Sequence, residues 1–220
     1  MRQLALDLTV PPVPAFENFI VGCNAEVLTH LNAAIAGSGE RFVYVWGEPG
    51  CGRTHLLKAA AMAAGAGATY IACAAASDFN DAAPLLVADD VDHLGSDAQI
   101  ALFNRYNTLR EQGGGLIASG KVPPVQLKLR ADLMTRLGWG LVVQVHALSD
   151  PEKAQALAQH AQARGFTLPH EVIAYLLTHA PRDMGALFAT LDALDRHSRE
   201  SKRAVTVPLA REMVNIKKIQ

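Results

Sequence analysis

The chain has 220 residues, half of them hydrophobic and 19% charged, with a formal net charge of −1. That length and apolar content suffice for one good core with a small second domain beside it. The near-neutral balance argues against a dedicated nucleic-acid coat, which needs a basic surface.

The three cysteines, Cys23, Cys51 and Cys73, form no C-x-x-C pair and are odd in number, so neither a disulfide framework nor a zinc site is expected and a reducing cytoplasm fits. The N-terminus meets Asp7 and Pro11 before any long apolar stretch and does not read as a signal peptide. No run reaches the ~18 apolar residues of a membrane span, so no membrane partner is expected.

Residues 1–15 close on Pro11, Pro12 and Pro14 and suit an extended arm. A helix is expected over Asn24–Ala36, stopped by Gly37-Ser38-Gly39. Arg41–Trp46 reads as a strand buried on both faces. Directly after it comes GEPGCGRTH, Gly47–His55, and directly after that a helix-favouring segment, His55–Gly65. Strand, glycine loop and helix in this order form the context of a phosphate-binding P-loop, in which backbone N–H groups and a helix N-terminus face phosphate oxygens. Gly47, Pro49, Gly50, Cys51, Gly52 and His55 belong to this loop; Thr54 would offer its hydroxyl to Mg2+. Arg53 stands where the P-loop pattern has lysine; the planar fork keeps the charge but changes the geometry, so binding should survive better than hydrolysis.

Further strands are expected at Thr69–Cys73, within Ala83–Leu94, between Gly113 and Pro124, and within Leu137–Leu148, with an amphipathic helix within Gln99–Gln112. Asp89 and Asp90 end an apolar run, where one carboxylate can order Mg2+ and a second can polarise water; a solvated turn is the plainer alternative. Asp92 and His93 are expected at the surface. Strands alternating with helices around a P-loop imply a parallel α/β sheet covered on both faces. Ser149-Asp150-Pro151-Glu152 has the form of a helix cap, and strand patterns cease beyond it. Helices are expected at Glu152–Arg164, His170–His179, Arg182–Ser198 and Pro208–Asn215. The divisions are therefore 1–15 as an arm, 16–149 as the nucleotide-binding α/β domain and 150–220 as an all-α lid. No set of the eight histidines has metal-ligand spacing.

Several of these stretches together resemble the AAA+ module of the DnaA-related family. They are FENFIVG (Phe16–Gly22), the P-loop with His55, the Asp89-Asp90 strand, FNRYNTLREQGG (Phe103–Gly114), the Lys121-Val122-Pro123-Pro124 loop and TRLGWGL (Thr135–Leu141). The likeness runs from Phe16 to the end and stops short of the initiator's DNA-binding helix-turn-helix domain, as in the family's regulatory branch. That branch is also similar in its Gly-Arg-Ser/Thr P-loop and in an N-terminal clamp-binding peptide. Gln3-Leu4-Ala5-Leu6-Asp7-Leu8 resembles such a peptide, with Gln3 hydrogen-bonding and Leu4, Leu6 and Leu8 entering an apolar groove; an edge strand on the protein's own sheet is the alternative.

The resemblance implies that Ile20 and Val21 lie near the adenine, that Arg182 contacts phosphates from the lid, and that Arg136 is an arginine finger for ATP held by a neighbour, with Arg130 as the other candidate. Ser119 and Lys121 occupy the sensor-I loop, where the family pattern has an acidic residue before R-P-P, and this departure counts against a self-sufficient hydrolytic cycle. The implied ligands are ADP or ATP, with Mg2+ held by Thr54 and Asp89. The implied partners are the DnaA initiator, the DNA polymerase III sliding clamp (beta subunit), DNA through that clamp, and a second copy of the chain as a homodimer. The implied function is negative regulation of replication initiation, by activating DnaA-bound ATP hydrolysis in trans rather than as an efficient ATPase. The competing reading is an independent AAA+ ATPase of helicase or clamp-loader type.

Overall fold

The computed structural model describes residues 13–201 and 203–217; the expected clamp-binding residues Gln3, Leu4, Leu6, Asp7 and Leu8 lie outside them. Five strands, β1 (Phe42–Trp46), β2 (Ala68–Ala72), β3 (Leu85–Asp89), β4 (Gly115–Gly120) and β5 (Leu141–Gln144), form one sheet in the order β2-β3-β4-β1-β5. Every neighbouring pair is parallel. Residues of β3 and β4 are buried throughout, which is why these strands read as unbroken apolar runs rather than as alternations.

Successive side chains still leave the sheet on opposite faces. Val43, Val45, Leu85, Val87 and Ile117 pack with Val27 and Leu31 of α1 (Ala25–Ala36) and with Leu56 and Leu57 of α2 (Arg53–Ala64). Tyr44, Leu86, Ala88, Leu116 and Ala118 pack with Leu102, Tyr106 and Leu109 of α3 (Ser96–Glu111) and with Leu133 and Leu137 of α4 (Ala131–Leu137). The short helix α4 was not foreseen. With seven residues it spans barely two turns, too few to establish a 3.6-residue period beside its flanking loop.

Four helices follow: α5 (Asp150–Ala163), α6 (His170–His179), α7 (Met184–Ser201) and α8 (Val207–Lys217). They close around their own core, centred on Leu157, Val172, Leu176, Leu187, Leu191 and Leu209. The expected cap on α5 is present. The Ser149 hydroxyl and the Glu152 carboxylate each satisfy a backbone N–H of the other, and Pro151 lies in the first turn.

Helix α7 starts at Met184, two residues beyond the expected Arg182. Asp183 takes the capping role, its Oδ1 accepting the Ala186 N–H at 2.8 Å, so Arg182 stands in the turn before the helix. No helix among the described residues is long and apolar enough to cross a membrane.

Candidate nucleotide-binding site

The P-loop leaves the C-terminal end of β1 and turns into the first turn of α2. Two of its glycines are dictated by close approach. A Cβ on Gly47 would fall 2.3 Å from the Val145 carbonyl oxygen. Gly52 has φ +104°, and a Cβ there would fall 2.7 Å from the Phe19 ring. The segment Phe16–Asn18 forms a single 3-10 turn that brings Phe19 over the loop, with its ring tilted against His55 at 5.7 Å. His55 Nε2 in turn lies 2.9 Å from the Ala15 carbonyl, a hydrogen bond that the imidazole N–H donates. The linker is thereby stapled to the P-loop helix, with Ile20 and Val21 half-buried immediately after it. Cys51 faces the core, where burial pushes its thiol pKa up, so within this loop its backbone rather than its sulfur is available. Thr54 is exposed at the start of α2.

Arg53 is only 6% exposed and is engaged inside the chain. One guanidinium nitrogen donates to the Gly47 carbonyl at 2.9 Å, and the other lies 3.0 Å from Asp90 Oδ1 as an ion pair lacking aligned hydrogen-bond geometry. Asp90 adopts a left-handed backbone, φ 57° and ψ 58°, a conformation that short polar side chains tolerate. Its N–H donates to Ser119 Oγ at 2.8 Å.

Asp89 is 3% exposed, and both of its carboxylate oxygens are occupied. The Ser119 hydroxyl donates to Oδ1 at 2.6 Å and the Tyr70 hydroxyl donates to Oδ2 at 2.8 Å. Burial, then the neighbouring Asp89, holds the Tyr70 phenol protonated well above its ordinary range. This is no solvated turn; it is a buried polar network whose members satisfy one another. Each carboxylate oxygen retains acceptor capacity beyond its one hydrogen bond. Thr54 and Asp89 therefore fit a hydrated Mg2+ arriving with a nucleotide, although no group of three or more His, Cys, Asp and Glu residues among those described forms a metal cage.

Asp92 parts from expectation. Asp92 is half-buried, its Oδ2 accepting the Lys121 N–H at 3.0 Å. The Lys121 ammonium lies 3.3 Å from His93 Nε2, on the exposed side. Of the two sensor-I residues, Ser119 joins the carboxylates and Lys121 does not.

Arg136, in the last turn of α4, has a different setting. Its guanidinium carbon lies 3.9 Å from the centroid of the Trp139 ring and 5.6 Å from that of Phe103. Trp139 is 55% exposed and carries Arg110 as well, at 5.6 Å, and so forms a platform for both guanidinium groups. Arg136 Nε is buried without a hydrogen-bond partner, and no carboxylate pairs with this arginine among the described residues. Arg130, by contrast, is tied to Asp132 at 2.8 Å.

Arg182 pairs with Asp150, both side chains being exposed. It lines a cleft of about 550 Å³ between P-loop and lid, with Glu48, Pro49, Gly50, Lys153 and Asp183. Sequence reasoning missed Lys153 and Tyr70. No motif marks either one; the signal for Tyr70 was its place in the strand that pairs with β3.

The model of the Hda lid domain matches residues 150–214, and that of the bacterial DnaA ATPase domain matches residues 12–74. Domain III of Thermotoga maritima DnaA is similar at 19% identity over 93% of this chain and 96% of that one, with a TM-score of 0.76. AMPPCP-bound DnaA from Aquifex aeolicus is similar at 24% identity over 87% of this chain and 68% of that one, with a TM-score of 0.69. The T. maritima RuvB Holliday junction branch migration motor shares the fold at 13% identity over 94% of this chain and 72% of that one, with a TM-score of 0.64.

Proposed function

The chain is a Hda-like, DnaA-related AAA+ protein, and from that premise we propose that it is a nucleotide-bound regulator of replication initiation that acts on ATP held by DnaA. The observation that carries this reading is the contrast between its own P-loop machinery, which is engaged internally, and Arg136, which is not.

The P-loop amides, with Arg182 from the lid, bind the phosphates of ADP or ATP, and Ile20 and Val21 lie against the adenine. Thr54 and Asp89 would hold Mg2+, which would supply positive charge against the phosphates. Arg53 is drawn to Gly47 and Asp90, and Asp89 accepts two hydroxyl hydrogen bonds, so charges that hydrolysis would use are spoken for. ADP retention follows more readily than rapid turnover.

Arg136 then serves a neighbour. Stacked on Trp139, it is oriented without being neutralised, and a planar fork can place two N–H donors on oxygens where charge develops as the γ-phosphoryl departs. The Gln3–Leu8 peptide, resembling clamp ligands, would dock the chain on the DNA-loaded sliding clamp and so raise its effective concentration near initiator on the same DNA. Retention of Asp89 and Asp90 favours a second reading, an independent AAA+ ATPase.

The test is hydrolysis of radiolabelled ATP preloaded on DnaA, with clamp loaded on DNA, by the wild-type chain, Gln3→Ala and Arg136→Ala. Stimulation by wild type that falls to background in both variants supports the regulator. Turnover of free ATP by the chain alone, with no effect on DnaA-bound ATP, supports the independent ATPase instead.

A further inference from the structure

Lys153 belongs to no motif, yet its position is unusual for a lysine. It sits one turn into α5, is 7% exposed, and has no hydrogen-bond or ion-pair partner among the described residues. Lysines so enclosed normally pair; the Lys153 ammonium is not among the atoms cut off from solvent, so a side chain that is otherwise covered keeps its head open to the cleft. The residue lines the cleft that also carries Glu48, Gly50 and Arg182. Neither acidic side chain at the cleft takes it up: Asp183 Oδ1 caps α7, and Glu48 is exposed. Arg182 is already matched by Asp150. Lys153 is thus the one cation of the cleft whose charge nothing in the described chain answers.

We propose that Lys153 is a phosphate-contacting residue, a second lid cation that donates to the anionic tail of a nucleoside di- or triphosphate seated on the P-loop. The proposal rests on the nucleotide-bound reading above and adds a residue to it. An ammonium has three donors and no acceptor, which suits phosphate oxygens and not the mixed donor and acceptor edge of a base. A covered stem with the charged head at an open cleft is the usual behaviour of lysine. The capping box fixes the turn from which it projects. Gly50, at the tip of the loop, stands 3.6 Å by its would-be Cβ from the Asp183 Cα, so lid and loop are already in contact where a phosphate would join them. Lys153 meets that phosphate without breaking any existing pair, whereas Arg182 must first leave Asp150.

The experiment is calorimetric titration of the full chain with ADP and, separately, with adenosine, for wild type, Lys153→Met and Lys153→Arg. Methionine keeps the buried stem and removes the charge, and the apo melting temperature checks that the lid stays folded. The expected result is an ADP affinity weakened about tenfold by Lys153→Met and largely restored by Lys153→Arg, with adenosine affinity unchanged. Equal ADP binding by wild type and Lys153→Met, or equal loss for ADP and adenosine, overturns the assignment while leaving the nucleotide-bound reading intact. Failure of the wild type to bind ADP at all overturns both.

Discussion

Arg53 and Arg136 carry the same charge at opposite ends of the proposed chemistry, and their surroundings differ in kind. Arg53 is sealed in the loop between a backbone carbonyl and Asp90, whereas Arg136 lies on an exposed indole with its Nε unanswered and no carboxylate paired with it among the described residues. Charges that complete their interactions within the chain hold the loop's shape; a charge left incomplete, but oriented, is available to something outside. Arg136→Ala is the sharpest way to break this contrast. It should reduce stimulation of DnaA-bound ATP hydrolysis by about 1,000-fold or more, the range expected for loss of a trans arginine, while the chain's own ADP affinity stays within about twofold. Trp139→Ala should give a smaller loss, about tenfold, because the guanidinium survives and only its orientation is lost. Equal activity of Trp139→Ala and wild type would remove the platform from the account.

The same contrast predicts a stability effect at Arg53 and none at Arg136. Arg53→Ala leaves the Gly47 carbonyl and a largely enclosed Asp90 unpaired, at a cost of about 2 kcal/mol in denaturant unfolding. Arg53→Lys should cost about 1 kcal/mol, since a single ammonium replaces a fork that reaches two acceptors in different directions. Its ADP affinity should equal or exceed that of wild type, because the compact charge is less committed to Asp90. An unfolding midpoint unchanged in Arg53→Ala would show that the internal pair contributes nothing.

Most of the α/β layer could be read from residues, because apolar runs bounded by glycine and carboxylate mark buried parallel strands wherever they occur. Local signals also placed the α5 cap, where Ser149 and Glu152 meet at a fixed three-residue spacing. What escaped depends on pairings across the sheet. Tyr70 reaches Asp89 only because β2 lies beside β3, and Ser119 reaches it only because β4 lies on the other side. Trp139 stands between two glycines, a context that does not by itself say which way an indole faces. Gly140 is required because a Cβ there would clash with the Phe42 carbonyl, and the indole of Trp139 is exposed. The Gln3–Leu8 peptide is legible as a motif because its alternating leucines and leading glutamine are local in sequence.

The Asp89 network offers a finer test. Ser119→Ala removes a donor to Asp89 and an acceptor for the Asp90 N–H together, and should cost about 2 kcal/mol; Tyr70→Phe removes one donor and should cost about 1 kcal/mol. Both variants free lone pairs on Asp89, so Mg2+-dependent turnover of ATP by the chain itself should rise, with Arg136-dependent stimulation of DnaA unchanged. Turnover that falls instead would mean that the hydroxyls prepare Asp89 for the metal rather than withhold it.

An effect no larger is expected at Ser149, and it bears on how lid and loop communicate. Ser149→Ala loses one side of a capping box, about 1 kcal/mol, and the loss should be confined to the first turn of α5. That turn holds Asp150, which pairs with Arg182, and presents Lys153 to the cleft one residue further than Glu152. Fraying it would loosen both lid cations at once without touching the P-loop. ADP affinity in Ser149→Ala should therefore drop a few-fold, and the drop should vanish when measured in the Lys153→Met background if Lys153 transmits it. A drop of the same size in both backgrounds would assign the coupling to the Asp150–Arg182 pair.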